Sequence, residues 1–156
     1  MVPTSPRLGD FDWGCVYASR PVILPDEIRI YYGGSDGFHF GVRKGFFALA
    51  TPRPDGFAGL TPSPAGATAT ILTVPVPVSA ADKLRVTADL QAGGSLEISW
   101  RDPSRPDAQG RSVTLKGPLV LTDHVVTSER PNVATGQALQ LNFALKGGTV
   151  YSFSLK

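Results

Sequence analysis

The chain has 156 residues, which suffices for one domain that buries roughly 68–70% of the surface exposed by its unfolded form. Its 15 basic and 13 acidic residues give a net charge of only +2 and form no Lys/Arg run, so we expect no nucleic-acid partner. The single cysteine, Cys15, excludes an intrachain disulfide and a cysteine-rich metal site.

Apolar and polar residues alternate with a period of two along the chain, and 14 prolines and 17 glycines interrupt the pattern. The sequence therefore predicts an all-β chain, a two-sheet antiparallel β-sandwich of the jelly-roll type with very little helix. We expect a single domain over residues 1–156, with an N-terminal segment at 1–44 and the sandwich core at 45–156. Short strands are predicted at 15–19, 27–32, 45–50, 68–73, 112–115, 119–121 and 124–127.

Two prolines mark a border strand at Val74-Pro-Val-Pro-Val78. Because proline has no N–H group, Pro75 and Pro77 leave one edge of an extended strand unable to pair. We expect both prolines on the outside of the sheet, with Val74, Val76 and Val78 facing the core.

The next element along the chain is a predicted hairpin. Apolar residues alternate from Leu84 to Leu90 and again from Leu96 to Trp100, with Gln91-Ala-Gly-Gly94 between them as the expected turn. Trp100 continues the apolar row, so we expect it in the core.

A second hairpin is predicted to turn at Gly147-Gly148. A two-residue loop would leave Tyr151 and Phe153 on the polar side of the sheet. We therefore expect a longer loop or a bulge that pairs Leu145 with Tyr151 and Phe143 with Phe153.

Several short motifs occur in an order that resembles a known family. They are Tyr31-Tyr-Gly-Gly-x-Asp36, Leu49-Ala-Thr51 with Arg53-x-Asp-Gly-Phe57, Leu84-x-Val86 with Gly94-Ser-Leu-Glu-Ile98, and Leu141-x-Phe-x-Leu145 with Tyr151-Ser-Phe153. Most of the chain resembles the C-terminal part of five-bladed β-propeller glycoside hydrolases of the invertase and arabinanase type, in which a β-sandwich follows the propeller. The earlier blades, which carry that family's catalytic carboxylates, have no counterpart in this sequence.

The resemblance implies a set of ligand-binding residues. Tyr31, Tyr32 and Asp36 match the end of the last propeller blade, near the family's sugar-binding funnel, and His39 falls where relatives often carry a histidine. The implied set is therefore Tyr31, Tyr32, Asp36 and His39, without a catalytic residue. An aromatic ring can stack on a sugar, but adjacent strand residues point to opposite faces, so at most one tyrosine can belong to one site.

The same loop allows a catalytic interpretation. Asp36 and His39 lie three residues apart and could act as a general acid and base, although no nucleophile accompanies them. Asp55 within Pro-Asp-Gly has a structural interpretation, because this tripeptide predicts a type I turn with the disfavoured backbone position at Gly56.

Metal binding has one sequence candidate. Asp123 and His124 supply two ligands, which is fewer than a zinc site needs, so we predict no metal centre and no cofactor. Calcium held by Asp side chains and loop carbonyls is the one cofactor left open.

We expect a non-catalytic carbohydrate-associated module that binds a polysaccharide or oligosaccharide, or that supports a carbohydrate-active partner. One alternative is a structural or protein-interaction sandwich whose strand Glu27–Tyr32 folds back onto the sandwich or pairs with another chain, as in a homodimer. The other is a residual glycoside hydrolase that uses Asp36, Asp55 or His39. The sequence contains neither a signal peptide nor the roughly 18 apolar residues that cross a bilayer, so we expect no membrane partner and assign no compartment.

Overall fold

The computed structural model describes residues 2–79, 82–104, 111–126 and 138–156. Within these ranges there is no helix, and every strand pair is antiparallel. The strands are β1 (Cys15–Ala18), β2 (Val22–Ile23), β3 (Ile28–Ser35), β4 (Gly45–Ala50), β5 (Thr68–Leu72), β6 (Val76–Pro77), β7 (Leu84–Arg101), β8 (Arg111–Lys116), β9 (Leu119–Val125) and β10 (Ala138–Leu155). They form two sheets, which confirms the predicted two-sheet all-β class.

The chain divides into two compact units, Met1–Phe57 and Ala58–Lys156, and each contains one sheet. The first unit holds β1 to β4, and the second holds β5 to β10. The single-domain organisation with a boundary between residues 44 and 45 stays a prediction.

In the first unit β3 is the central strand, with β1 and β4 paired along it. Its burial alternates, so that Ile28, Ile30 and Tyr32 are buried while the residues between them are partly exposed. Gly34 continues the buried row, and a Cβ there would lie 2.8 Å from both the Asp12 Cβ and the Phe11 carbonyl oxygen. Residues 11 and 12 therefore cover one face of this sheet.

In the second unit β7 and β10 have 18 residues each and pair from Leu84 with Leu155 to Arg101 with Gln140. The alternating apolar residues of both strands enter one hydrophobic cluster, and Trp100 lies in it at 7% exposure. The predicted core position of Trp100 is confirmed.

Both predicted hairpins are wrong, because residues 91–94 and 147–148 lie inside continuous strands. These glycines permit a close crossing of backbones. A Cβ on Gly94 would overlap the carbonyl oxygen of Gly147, and one on Gly148 would overlap that of Asp89. Glycine serves here for close approach rather than for chain reversal.

The predicted pairing of Leu145 with Tyr151 is also wrong, since Leu145 pairs with Leu96. A register shift does occur nearby, between Val150 and Ser152. It leaves Tyr151 as the extra residue, so that Val150 and Phe153 both reach the hydrophobic cluster. The bulge thus directs the apolar residues on both sides of it to the core. It lies within one continuous strand, whereas the prediction placed it beside a turn.

The border strand is shorter than predicted. β6 contains only two residues, which pair with Ala138 and Leu139 of β10. Pro75 and Pro77 are exposed and Val78 is buried, as expected, whereas Val74 is 77% exposed and does not face the core. The strands predicted at 119–121 and 124–127 are one strand, β9, whose pairing with β7 shifts register between Val86 and Ala88.

Candidate functional site

The uncovered face of the first sheet is aromatic. Tyr17 of β1 and Phe47 of β4 both pair with Gly33 of β3, so their side chains share a face. Tyr31 and Leu49 belong to the same face because they lie two residues from Gly33 and Phe47. We call Tyr17, Tyr31, Gly33, Phe47 and Leu49 the aromatic face.

The aromatic face is open to solvent. Phe47 is 80% exposed and Tyr17 is 53% exposed, and Leu49 is exposed as well. The Tyr31 and Phe47 rings stack with centroids 5.9 Å apart and an interplanar angle of 13°. Exposed large aromatic residues that hold one another in place are a typical feature of ligand-binding surfaces.

Gly33 has no side chain and leaves a gap between Tyr17 and Phe47 on this face, which we call the trough. Apart from the chain neighbours, a Cβ at this position would have only the Phe46 carbonyl oxygen within 4 Å, at 3.9 Å, so there is room for a side chain at Gly33. Because Tyr17 and Phe47 lie on the two strands that flank β3, their backbones are separated by about 10 Å. Tyr17 and Phe47 therefore lie on either side of the glycine, on the same face of the sheet.

The loop from Asp36 to Lys44 lies at one end of the trough. The Asp36 N–H donates to the Lys44 carbonyl oxygen at 3.4 Å, and the Lys44 N–H donates to Asp36 Oδ1 at 2.8 Å. The Asp36 carboxylate thus fixes the base of the loop. At its exposed end, His39 Nδ1 and the Tyr17 hydroxyl form a hydrogen bond of 2.8 Å.

Arg43 lies beside Tyr17. Its guanidinium carbon is 5.8 Å from the Tyr17 ring centroid, and its Nη1 lies 3.4 Å from Cys15 Sγ. The neighbouring Tyr17 is the main cause that raises the pKa of Arg43, while desolvation acts against it. The trough thus has a cation and an imidazole at its Tyr17 side.

The loop also carries a row of aromatic rings. Trp13 packs on Phe38 with ring centroids 4.8 Å apart, and Phe38 stacks on Phe40 at 6.0 Å. Phe38 and Phe40 are both exposed. This row adds exposed apolar surface on the loop.

The four predicted ligand-binding residues are not equivalent. Tyr31 and Tyr32 point to opposite faces, as the strand period predicts. Tyr32 is 7% exposed and its hydroxyl donates to Asp12 Oδ2 at 3.1 Å. Burial first, and then the Asp12 carboxylate, raise the pKa of Tyr32. Only Tyr31 and His39 lie at the aromatic face.

Asp36 and His39 have separate partners. Asp36 binds the backbone of Lys44, and His39 binds Tyr17. Among the hydrogen bonds of the described residues, none joins the two side chains. The hydrogen bond of Asp36 to Lys44 and that of His39 to Tyr17 both hold the loop in its conformation.

Asp55 lies in a turn that the Gly56 N–H closes by donating to the Arg53 carbonyl oxygen at 3.1 Å. The positive φ of 58° falls on Asp55 instead of Gly56, which fits a type II turn rather than the predicted type I turn. Gly56 is needed for space, because a Cβ there would lie 2.9 Å from Arg53 Cγ.

Asp123 and His124 lie on β9 in the second unit. Asp123 accepts from Arg85 Nη1 at 3.0 Å and forms an ion pair with Lys156 Nζ at 3.2 Å. Within the described ranges no group of three or more His, Cys, Asp or Glu side chains has a metal-binding arrangement. No helix in these ranges has the length and apolar character needed to cross a membrane.

A second concavity lies in the second unit. Its volume is about 400 Å³, and apolar side chains dominate its lining, among them Leu60, Ile71 and Phe143. Tyr151 and Ser152 are its polar lining residues. Its lining contains no charged residue, whereas Arg43 lies beside the aromatic face.

Sequence reasoning missed Tyr17, Phe47 and Arg43. The available signal was weak, because each aromatic residue lies in a short strand whose register the sequence does not reveal. Gly33 was part of a motif, but its role as the floor between two rings depends on which residues pair with it.

Comparisons of the chain with protein-family models, with curated proteins and with solved structures give no match.

Proposed function

We propose that the chain is a non-catalytic carbohydrate-associated module that binds a glycan on its aromatic face. The observation that carries this proposal is the trough over Gly33 between the exposed rings of Tyr17 and Phe47. A sugar ring has apolar C–H patches that suit aromatic surfaces and hydroxyl groups that need hydrogen-bond partners. The trough offers both, since the imidazole of His39 and the Tyr17 hydroxyl lie at its side.

The resemblance to the C-terminal part of propeller glycoside hydrolases supports the same proposal. In that resemblance Tyr31, Tyr32, Gly33, Gly34 and Asp36 correspond to the end of the last propeller blade. Tyr31, within β3, belongs to the aromatic face. The proposal therefore has a sequence argument and a geometric argument that point to the same strand.

The test is a binding measurement on the intact chain with a panel of soluble and insoluble polysaccharides. Tyr17→Ala and Phe47→Ala should each weaken binding by about fivefold, since an aromatic contact contributes on the order of 1 kcal/mol. Val120→Ala is the matched control, because Val120 is 77% exposed on β9 of the other sheet. Retention no greater than that of an unrelated β-sandwich protein would contradict the proposal.

A protein-interaction module is the second candidate, and the exposed apolar residues of the first unit favour it. Phe40, Val42 and Ile23 are all strongly exposed, in addition to the aromatic face. An interface between two copies would have to bury more than about 1,000 Å² to be specific. Light scattering should then show a dimer that Phe40→Ala or Phe47→Ala converts to a monomer.

The residual hydrolase alternative gains no geometric support from the described residues. Asp36 fixes the base of its loop, His39 is bonded to Tyr17, and Asp55 occupies a turn. No glycoside turnover by the chain, or turnover that is unchanged when Asp36, Asp55 and His39 are all replaced by alanine, would exclude this alternative.

A further inference from the structure

The two arginines near the aromatic face differ in their partners. Arg29 forms an ion pair with Glu27, and its Nε donates to the Glu27 carboxylate at 2.7 Å. Arg43 instead contacts the Cys15 sulfur and the Tyr17 ring. Among the ion pairs of the described residues, none joins Arg43 to a carboxylate. One positive charge is therefore compensated, and the other is available beside the trough.

The position of Arg43 is defined by two contacts. Its Nη1 lies on Cys15 Sγ, and its guanidinium carbon lies over the ring of Tyr17. A guanidinium held on an aromatic ring loses less side-chain freedom when it binds a ligand than a freely moving one does. Arg43 is thus pre-organised as an anion-binding group at the wall of the trough.

His39 lies at the same wall. Its Nδ1 is engaged with the Tyr17 hydroxyl at 2.8 Å. When that hydroxyl donates, Nε2 carries the proton and can donate to a ligand oxygen. Arg43 and His39 would then both offer donors next to Tyr17, on the side where the edge of a bound sugar ring would lie.

We propose that the glycan bound on the aromatic face is acidic, a polysaccharide of uronic acid residues whose carboxylates pair with Arg43. This inference rests on the proposed function. A carboxylate is planar and can accept two parallel hydrogen bonds from a guanidinium, which makes uronate the anion that best fits an arginine held in this way. The sugar ring occupies the trough over Gly33, and His39 donates to the carboxylate or to an adjacent hydroxyl.

The experiment compares four ligands on the full chain by isothermal titration calorimetry: polygalacturonate, alginate, neutral arabinan and a sulfated galactan. We expect the two uronate polymers to bind at least tenfold more tightly than arabinan. Arg43→Gln should weaken uronate binding about tenfold, since hydrogen bonds to charged groups are stronger than those between neutral groups. Arg43→Lys should recover only part of it, because lysine keeps the charge but loses the bidentate geometry.

The control for net charge is Arg7→Gln, which removes an exposed arginine from the N-terminal segment. It should change uronate binding by less than twofold, and Arg43→Gln should weaken uronate binding more than it weakens arabinan binding. Circular dichroism and the thermal midpoint of each variant establish that the fold is kept. Raising the salt concentration should weaken uronate binding in the wild type more than in Arg43→Gln.

The possible failures are distinguishable. Equal binding of arabinan and the uronate polymers, with no effect of Arg43→Gln, would overturn the acidic-glycan inference and leave the proposed function standing. Binding of the sulfated galactan alone would overturn the assignment of uronate. No binding of any of the four polymers would overturn the inference, and the proposed function would then depend on the wider polysaccharide panel.

Discussion

Phe143 and Phe153 lie ten residues apart in the same strand, and yet their ring centroids are 5.2 Å apart. Ten residues of a straight strand would span about 33 Å. β10 must therefore bend sharply between them, and its glycines at 147 and 148 lie in that interval. Both halves of β7 line the same hydrophobic cluster, so the six-stranded sheet folds over its own core.

The glycine crossing can be tested with two neighbouring substitutions. Gly94→Ala should lower the free energy of unfolding by about 3 kcal/mol, because its Cβ would overlap the Gly147 backbone. Gly93→Ala is the matched control: it has a φ of 75° but open space, so only about 1 kcal/mol should be lost. Chemical denaturation measures both, and equal losses would contradict a steric crossing at Gly94.

Truncation of Phe143 should destabilise the fold strongly, because its ring contacts Phe153 in the other half of β10. Phe143 is 1% exposed, and Phe143→Ala should reduce the free energy of unfolding by about 3–5 kcal/mol. Phe47→Ala, at an exposed position in the other sheet, should change it by less than about 0.5 kcal/mol. Similar values for the two variants in urea titrations would show that Phe143 does not lie in the hydrophobic core.

Alkaline pH should weaken the fold through Tyr32, whose pKa is raised by burial and by Asp12. Its ionised form is less favoured in the folded than in the unfolded chain. Protonated Tyr32 therefore contributes its full stabilisation below about pH 10, which is the pKa of tyrosine in the unfolded chain. This stabilisation is lost as the pH rises through the pKa of Tyr32 in the folded chain. Unfolding at pH 8 to 11 should show a smaller alkaline loss for Tyr32→Phe than for the wild type.

Asp12→Asn provides the second arm of this test. It keeps an acceptor for the Tyr32 hydroxyl but removes the negative charge, so the alkaline loss should be intermediate. If the wild type, Tyr32→Phe and Asp12→Asn lose stability equally above pH 10, the Tyr32–Asp12 interaction is not the cause of the pH dependence.

The empty floor of the trough can be filled without strain. A Cβ on Gly33 meets its nearest neighbour at 3.9 Å, which is ordinary van der Waals contact, and valine is favoured in strands. Gly33→Val should therefore abolish most glycan binding while the thermal midpoint stays the same or rises. Binding of wild-type strength by this variant would show that the ligand does not enter the space between Tyr17 and Phe47.

The alternation of apolar residues predicted the core correctly, but not the connections. From Leu84 to Trp100 every second residue except Ala92 is buried, and the alternation keeps its phase across residues 91–94, which was the sign of one continuous strand. The glycines at 93 and 94 suggested a turn because glycine serves both reversal and close approach. Sequence alone does not distinguish these uses, since the difference lies in which backbone crosses at that point.

The site was predictable only in part. The strand period showed that Tyr31 and Tyr32 could not share a face. Which of them is exposed depends on the coverage of one face by Phe11 and Asp12, a long-range contact that no local pattern encodes. The aromatic face likewise depends on the register of two flanking strands with Gly33.

The central functional claim is that a glycan lies on the aromatic face, and chemical-shift mapping of the full chain by NMR tests it most directly. Titration with a uronate oligosaccharide should shift the amide signals of β1, the Gly33 region of β3 and β4, together with those of His39 and Arg43. Signals of β7 and β10 should stay in place. Saturable shifts confined to the second unit, or none at all with this or any other glycan, would contradict the account.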